Sequence, residues 1–286
     1  LEKKLVNSYL MADGSRFTDI KGYETMQFFA EVQNRDPRLS QTIRTPGYKR
    51  LGENNTLVQE FGATMTGYQL IKFVAAPKWD TYNKDITDMP IFRYAEVLLN
   101  YAEAKAEKGT LTQADLDMST KLTRDRVGMP NINMAQANAN PDPYQANMYK
   151  NLSGDNKGVL LEIRRERRIE LVMENSFRWD DLIRWKEGHL LTQVFKGMYL
   201  PGPGSFDLDN DGKIDIVVYE GTKPAINNVQ LLKLGSDISL EKGNQGGNIV
   251  VNAHINKKFD ENKDYLYPIP LQELLLNPKL TQNPNW

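Results

Sequence analysis

The sequence predicts an α-dominated fold with loop-rich and short-strand elaborations, and three observations carry that prediction. Residues 90–127 show helical apolar spacing on either side of a glycine turn. Residues 159–185 continue in helical register, dense in arginine and glutamate. The segments before and after are punctuated by Gly, Pro, Asn and Asp. The 286 residues suffice for a sizeable core. We read one unit over 1–286: a turn- and strand-rich segment at 1–89, a helical core at 90–188 and a loop-rich segment at 189–286.

In chain order, the stretch MADGSRF carries the Asp13-Gly14 pair of a tight turn, and GYQLIKFVA (67–75) reads as a strand. In PIFRYAEVLLNYAEAKAEKG, Pro90 suits the first turn of a helix and Gly109 its C-terminal cap. Ile91, Tyr94, Ala95, Leu98, Ala102 and Ala106 fall at three- and four-residue spacing, one face of that helix. After the Gly109 turn, Thr112 reads as the N-cap of a second helix that Gly128 stops. The two form an αα-hairpin of about 35 residues, near the period of a helical repeat. A single convincing copy is present. Residues 130–158 read as an irregular excursion, helix returns at 159–174 and 176–185, and DIVVYE reads as a strand.

Composition excludes several classes. The 36 basic and 37 acidic side chains nearly cancel, which argues against nucleic acid as the main partner. With no cysteine, disulfides, thiolate metal sites and cysteine nucleophiles are ruled out. No apolar run approaches the ~18 residues that cross a bilayer. His189 and His254 are the only histidines, and no Walker loop, GxSxG elbow or HExxH helix is present. GPGS (202–205) is a loop, since Pro203 removes an N–H that a phosphate cradle would use.

In LLEIRRERRIELVMEN, Glu162, Glu166, Glu170 and Glu174 recur every fourth residue and form an acidic ridge beside the arginines. Arg165 can pair with Glu162, and Arg167 with Glu170, at three-residue spacing. Glu166 has no basic neighbour on its own helix at that reach, so its partner must come from elsewhere: Arg124, Arg126 or Arg178. Leu160, Ile163, Leu171 and Val172 form the buried stripe. In SFRWDDLIRW, Phe177, Leu182 and Trp185 are expected to bury, Arg178 to pair with Asp181, and Trp179 to join the core rather than serve as a ligand platform. Charges matched in this way describe a packed scaffold, not a nucleic-acid face.

With those segments in hand, the chain resembles the SusD/RagB family of nutrient-binding outer-membrane lipoproteins. The resemblance rests on NRDPRL (34–39), IFRYAEVLLNYAEAKAEKG (91–109), IRRERRIELVMENSFRWDDLIRW (163–185) and YLYPIPLQELLLNPKLTQNPNW (265–286). It implies a SusD-like, helical-repeat (TPR-like) scaffold and a non-catalytic receptor on the outer face of the outer membrane. Such a receptor binds an oligosaccharide or other nutrient and delivers it to a TonB-dependent, SusC-like transporter. Membrane attachment would run only through a lipid anchor outside this chain. Because the chain opens at Leu1 without an initiator methionine, it reads as an excised or processed piece, the C-terminal half of a longer family member. No family motif transfers a ligand-contact residue onto this sequence. The rival readings are a glycan-active hydrolase using two carboxylates and a helical-repeat scaffold for a protein partner.

Two loops are candidate sites. Sugar binding needs a flat apolar face flanked by polar groups. PKWDTYNKD offers Trp79 and Tyr82 with Asp80, Asn83 and Lys78. Tyr48 and Tyr68 are weaker candidates, whereas Tyr265, Tyr267 and Trp286 are expected to pack. The second loop, DLDNDGKID, follows the EF-hand order of oxygen ligands, with Asp207, Asp209, Asp211, the Lys213 carbonyl and Asp215 at the alternating positions and Gly212 at the sharp turn. Position twelve is Val218 rather than a glutamate, so water or a distant carboxylate such as Glu220 would close the shell. Calcium is the cation these hard ligands suit, held to stiffen a surface loop. A solvated hairpin turn is the simpler alternative.

Overall fold

A computed structural model describes residues 1–84 and 86–286; Asp85, within the Trp79 loop, lies outside the described residues. Three short helices open the chain: α1 (Lys3–Ser8), α2 (Phe28–Glu31) and α3 (Pro37–Thr42). The helical centre holds α4 (Tyr94–Glu107), α5 (Gln113–Asp117), α6 (Thr120–Asp125), α7 (Met134–Ala139), α8 (Pro143–Met148), α9 (Lys157–Glu170) and α10 (Phe177–Arg184). The strands follow as β1 (Phe195–Leu200), β2 (Gly204–Phe206), β3 (Ile216–Tyr219), β4 (Gln230–Lys233) and β5 (Gly247–Val251), before α11 (Leu271–Leu276) in the tail. β1 pairs antiparallel with β5, and β3 lies between antiparallel β2 and parallel β4.

Two apolar cores result, and α9 joins them. Ala102, Leu116, Val159, Leu161, Ile163 and Trp185 pack the helical core. Tyr9, Ile43, Met198, Ile216 and Ile249 pack the core around the sheets, which α9 reaches with Ile169. Each fully buried aliphatic side chain contributes about 1.5–3 kcal/mol. Gly158, at the start of α9, allows this arrangement: a Cβ there would sit 1.9 Å from the Ala137 carbonyl oxygen, so any larger residue would push α7 away.

The hairpin is present, with differences that have local causes. Thr112 caps α5 in a capping box with Asp115, and Gly109 ends the preceding turn at φ +68°. The second helix is broken at Ser119, whose buried hydroxyl donates to the Asp115 carbonyl at 2.5 Å and competes with the helix ladder. The first helix starts at Tyr94 rather than at Pro90, because Arg93 is extended (φ −145°, ψ 164°) and reaches to Glu170 and Glu174. Ile91 and Tyr94 are consequently exposed, and the buried face of α4 is Leu98, Leu99, Ala102, Glu103 and Ala106.

Three further expectations are corrected. Residues 67–75 form no strand, only a bridge between Leu70 and Ile43. The excursion at 130–158 contains two helices, capped by Asn133 and Asp142 whose side chains accept backbone N–H bonds. Trp179 is 40 % exposed and Tyr267 74 %, so neither joins a core. Tyr265 does pack, edge-on to Phe259 at 4.9 Å, and Trp286 donates its indole N–H to the Leu266 carbonyl at 2.9 Å.

Candidate functional site

The charges of the central helices are used internally. Glu166, fully buried, accepts from Arg38 at 2.5 Å, Arg124 at 2.8 Å and Thr123 at 2.8 Å. Arg124 is thus one of its expected partners; Arg126 bonds Glu170 instead, and Arg178 the Tyr149 hydroxyl. Arg38, within NRDPRL, is the partner that helix spacing could not reveal, and Asp36 orients it at 2.7 Å while capping α3. Glu170 gathers Arg38, Arg93 and Arg126; Glu174 takes Arg93 and Lys72. Arg165 bonds Glu162 at 3.1 Å, as spacing predicts, and also Asp142. Arg167 turns to Asp181 at 2.7 Å rather than to Glu170. Asp181 is shared with Arg184, which leaves Arg178 without the partner expected for it. Burial pushes the Glu166 carboxyl up, but Arg38 and Arg124 outweigh that and hold it down at about 2.

The candidate sites outside this network are the surface loops and a cleft. Pro77–Trp79 form a single 3₁₀ turn, and the residues 80–84 that follow are exposed. Tyr82 is 89 % exposed and Trp79 half-buried, with the Lys78 ammonium 5.0 Å from the indole ring centre. Asp80 is fixed by a bidentate bond to Arg50, which holds its carboxyl below the ordinary value. Asn83 is exposed and turns the chain at φ +59°. Of the weaker candidates, Tyr48 is half-buried beside Arg44, while Tyr68 is fully buried, donates to Glu31 at 2.8 Å and serves the core.

In the aspartate loop, one carboxylate oxygen from each of Asp207, Asp209 and Asp215 lies within 4.8 Å of the others. Asp207 folds the turn around itself, accepting from the backbone N–H groups of Asn210 (2.6 Å), Asp211 (3.2 Å) and Gly212 (2.8 Å). Asp211 faces away and pairs with the Lys213 ammonium at 2.7 Å. Burial first, then the neighbouring aspartate charges, push Asp215 up; Asp209 is raised in the same way, although the Asp211 N–H offsets part of it. Val218 is buried in β3 and offers no ligand, and Glu220 is exposed.

The cleft escapes sequence reasoning. It encloses about 820 Å³ between α1, residues 61–66, residues 171–178 and residues 190–195. Phe177, Leu190 and Phe195 give it an apolar wall, and Lys4, Arg168 and Arg178 line it with positive charge. None of the four segments signals it alone. The one available sign was Arg178, provided its pairing with Asp181 had not been assumed.

The sequence model of the SusD family matches residues 1–286. Among solved structures, a SusD-like carbohydrate-binding protein of Bacteroides fragilis NCTC 9343 is 25 % identical, with a TM-score of 0.55 over 98 % of this chain and 48 % of that one. A second SusD-like protein of the same organism is 19 % identical, with a TM-score of 0.58 over 100 % of this chain and 46 % of that one. The chain thus spans about half the length of the solved structures it matches. No curated protein matches it.

Proposed function

The chain belongs to the SusD family, and from that premise we propose that it is part of a non-catalytic nutrient receptor of the outward-facing outer membrane, holding an oligosaccharide for a TonB-dependent, SusC-like transporter. The observation that carries the reading is the family match over residues 1–286, joined by the likeness to a carbohydrate-binding SusD-like protein. The neutralised interior supports it: the carboxylates of α9 are committed to arginines and are not poised as an acid–base pair. Attachment to the membrane would come from a lipid anchor on the whole protein.

Trp79 and Tyr82 are the proposed sugar platform, with Asp80, held by Arg50, and Asn83 as hydroxyl partners. For the aspartate loop we favour calcium on Asp207, Asp209 and Asp215. Asp211 and the Lys213 carbonyl would join once the exposed Asp211–Lys213 pair, worth little in water, opens.

A glycan array, run on this chain and on the complete protein, tests the function. The expected result is saturable binding with no product released. Release of shortened glycan, or binding of a protein partner with no glycan bound, would overturn it.

A further inference from the structure

Among the described residues the buried arginines of the framework meet carboxylates, except Arg35, which donates to the backbone carbonyls of Val6, Tyr9 and Glu31. Lys4 and Arg178 are both half-buried, and both line the 820 Å³ cleft. Among the described residues neither forms an ion pair; Arg178 meets Tyr149 alone, its hydroxyl at 3.0 Å and its ring centre at 5.7 Å. Arg168, half-buried in the same lining, has Glu2 as its acidic partner among the described residues, at 3.1 Å. The remaining charged residues of the lining are matched elsewhere: Arg167 with Asp181, and Glu174 with Lys72 and Arg93. Burial holds the Lys4 ammonium below its ordinary value; Glu2 offsets part of that, and the charges of Arg168, Lys196 and Arg178 add to it. This is an excess of positive charge in a partly buried cleft, an unfavourable arrangement that an anion would relieve.

A second, independent feature points the same way. The Gln193 side-chain oxygen is buried in the cleft lining and accepts no hydrogen bond. An unsatisfied acceptor in the same cleft as cations without a carboxylate calls for a ligand that carries both an anionic group and a donor, with an apolar surface for Phe177, Leu190 and Phe195.

We infer that this cleft binds an acidic sugar, its anionic group held by Lys4 and Arg178 and one hydroxyl donating to the Gln193 oxygen. The size fits: drug-sized ligands occupy about 300–1,000 Å³. Carboxylate and sulfate share the required chemistry. The inference rests on the glycan-binding reading but concerns a site remote in sequence from the Trp79 loop.

The test is calorimetry with three probes: oligogalacturonates of three to six sugars, the same oligomers fully methyl-esterified, and carrageenan oligosaccharides of matching length, which carry sulfate and no carboxylate. At least one acidic probe should bind saturably, with affinity falling as salt rises. The neutral ester should bind about tenfold more weakly or worse, as expected for loss of a charge-assisted contact. The two acidic arms distinguish carboxylate from sulfate as the recognised group. Lys4→Gln and Arg178→Gln should each weaken the acidic probe about tenfold with the melting temperature little changed, and Gln193→Leu supplies a third variant without altering charge. Equal affinity for acid and ester, no binding of either acidic probe, or full affinity in R178Q and K4Q would overturn the inference. Binding of neutral glycans on an array, unaffected by R178Q but lost in Trp79→Ala, would sink it while leaving the proposed function standing.

Discussion

Arg38 and Glu166 lie 128 residues apart in the chain and meet at 2.5 Å where water does not reach. Arg38 also bonds Asp36 and Glu170, so one guanidinium ties α3 to two successive turns of α9. Replacing it with methionine strands buried carboxylates and should cost about 3–5 kcal/mol. Lysine at this position keeps the charge but not the fork, and should recover only part of that loss. Denaturant unfolding of R38M and R38K checks both; a loss under 1 kcal/mol in R38M would show that the pair is not structural.

The same network sets a pH dependence. The ordinary value for Glu166 is 4.5 and its folded value about 2, so the unfolded state binds the proton more readily. Its contribution to stability is complete above pH 4.5 and is lost as pH falls toward 2. Glu174 adds to the loss, since Arg93 and Lys72 outweigh its burial and hold it down. The melting temperature should be flat from pH 5 to 7 and drop steeply below 4.5. Glu166→Gln should be less stable at pH 7, with a shallower acid limb.

Calcium should raise the melting temperature. Saturation at a hundred times Kd corresponds to about 2.7 kcal/mol, on the order of a few degrees for a chain of this size. Asp209→Asn should abolish the rise, whereas Asp211→Asn, outside the trio of carboxylates, should reduce it less. No heat on titration would leave a solvated turn closed by backbone N–H groups donating to its own aspartates, Asp207 foremost.

Trp79→Ala and Tyr82→Ala should each weaken glycan binding by roughly 5- to 30-fold, the equivalent of about 1–2 kcal/mol of lost apolar contact. Tyr82 is too exposed to support the core, so its melting temperature should not move. Unchanged affinity in both variants would place the sugar elsewhere.

Gly158→Ala should destabilise by about 1–3 kcal/mol, because its methyl group would overlap the Ala137 carbonyl and pry α7 from α9. An unchanged unfolding midpoint would mean that the two helices stand further apart than 1.9 Å implies.

Much of the scaffold was legible in the chain because its signals are local. Thr112 capping α5, Gly109 closing a turn and apolar residues at helical spacing along α9 each depend on neighbours within a few residues. The pairing of Arg165 with Glu162 was legible for the same reason. Trp179 shows the limit: it sits at core spacing on α10 yet stays 40 % exposed, because spacing does not say which side of a helix its neighbours cover.

The sequence by itself determined that the charges balance, that the long helices form and that no cysteine or catalytic motif is available. Only the tertiary structure decided which charge meets which. Helical spacing reports partners three or four residues away, whereas the partners of Glu166, Glu170 and Arg167 arrive from other elements. Among the described residues Lys4 and Arg178 line one cleft without an ion pair for the same reason: an ion pair requires approach in space, and only folding brings the residues together.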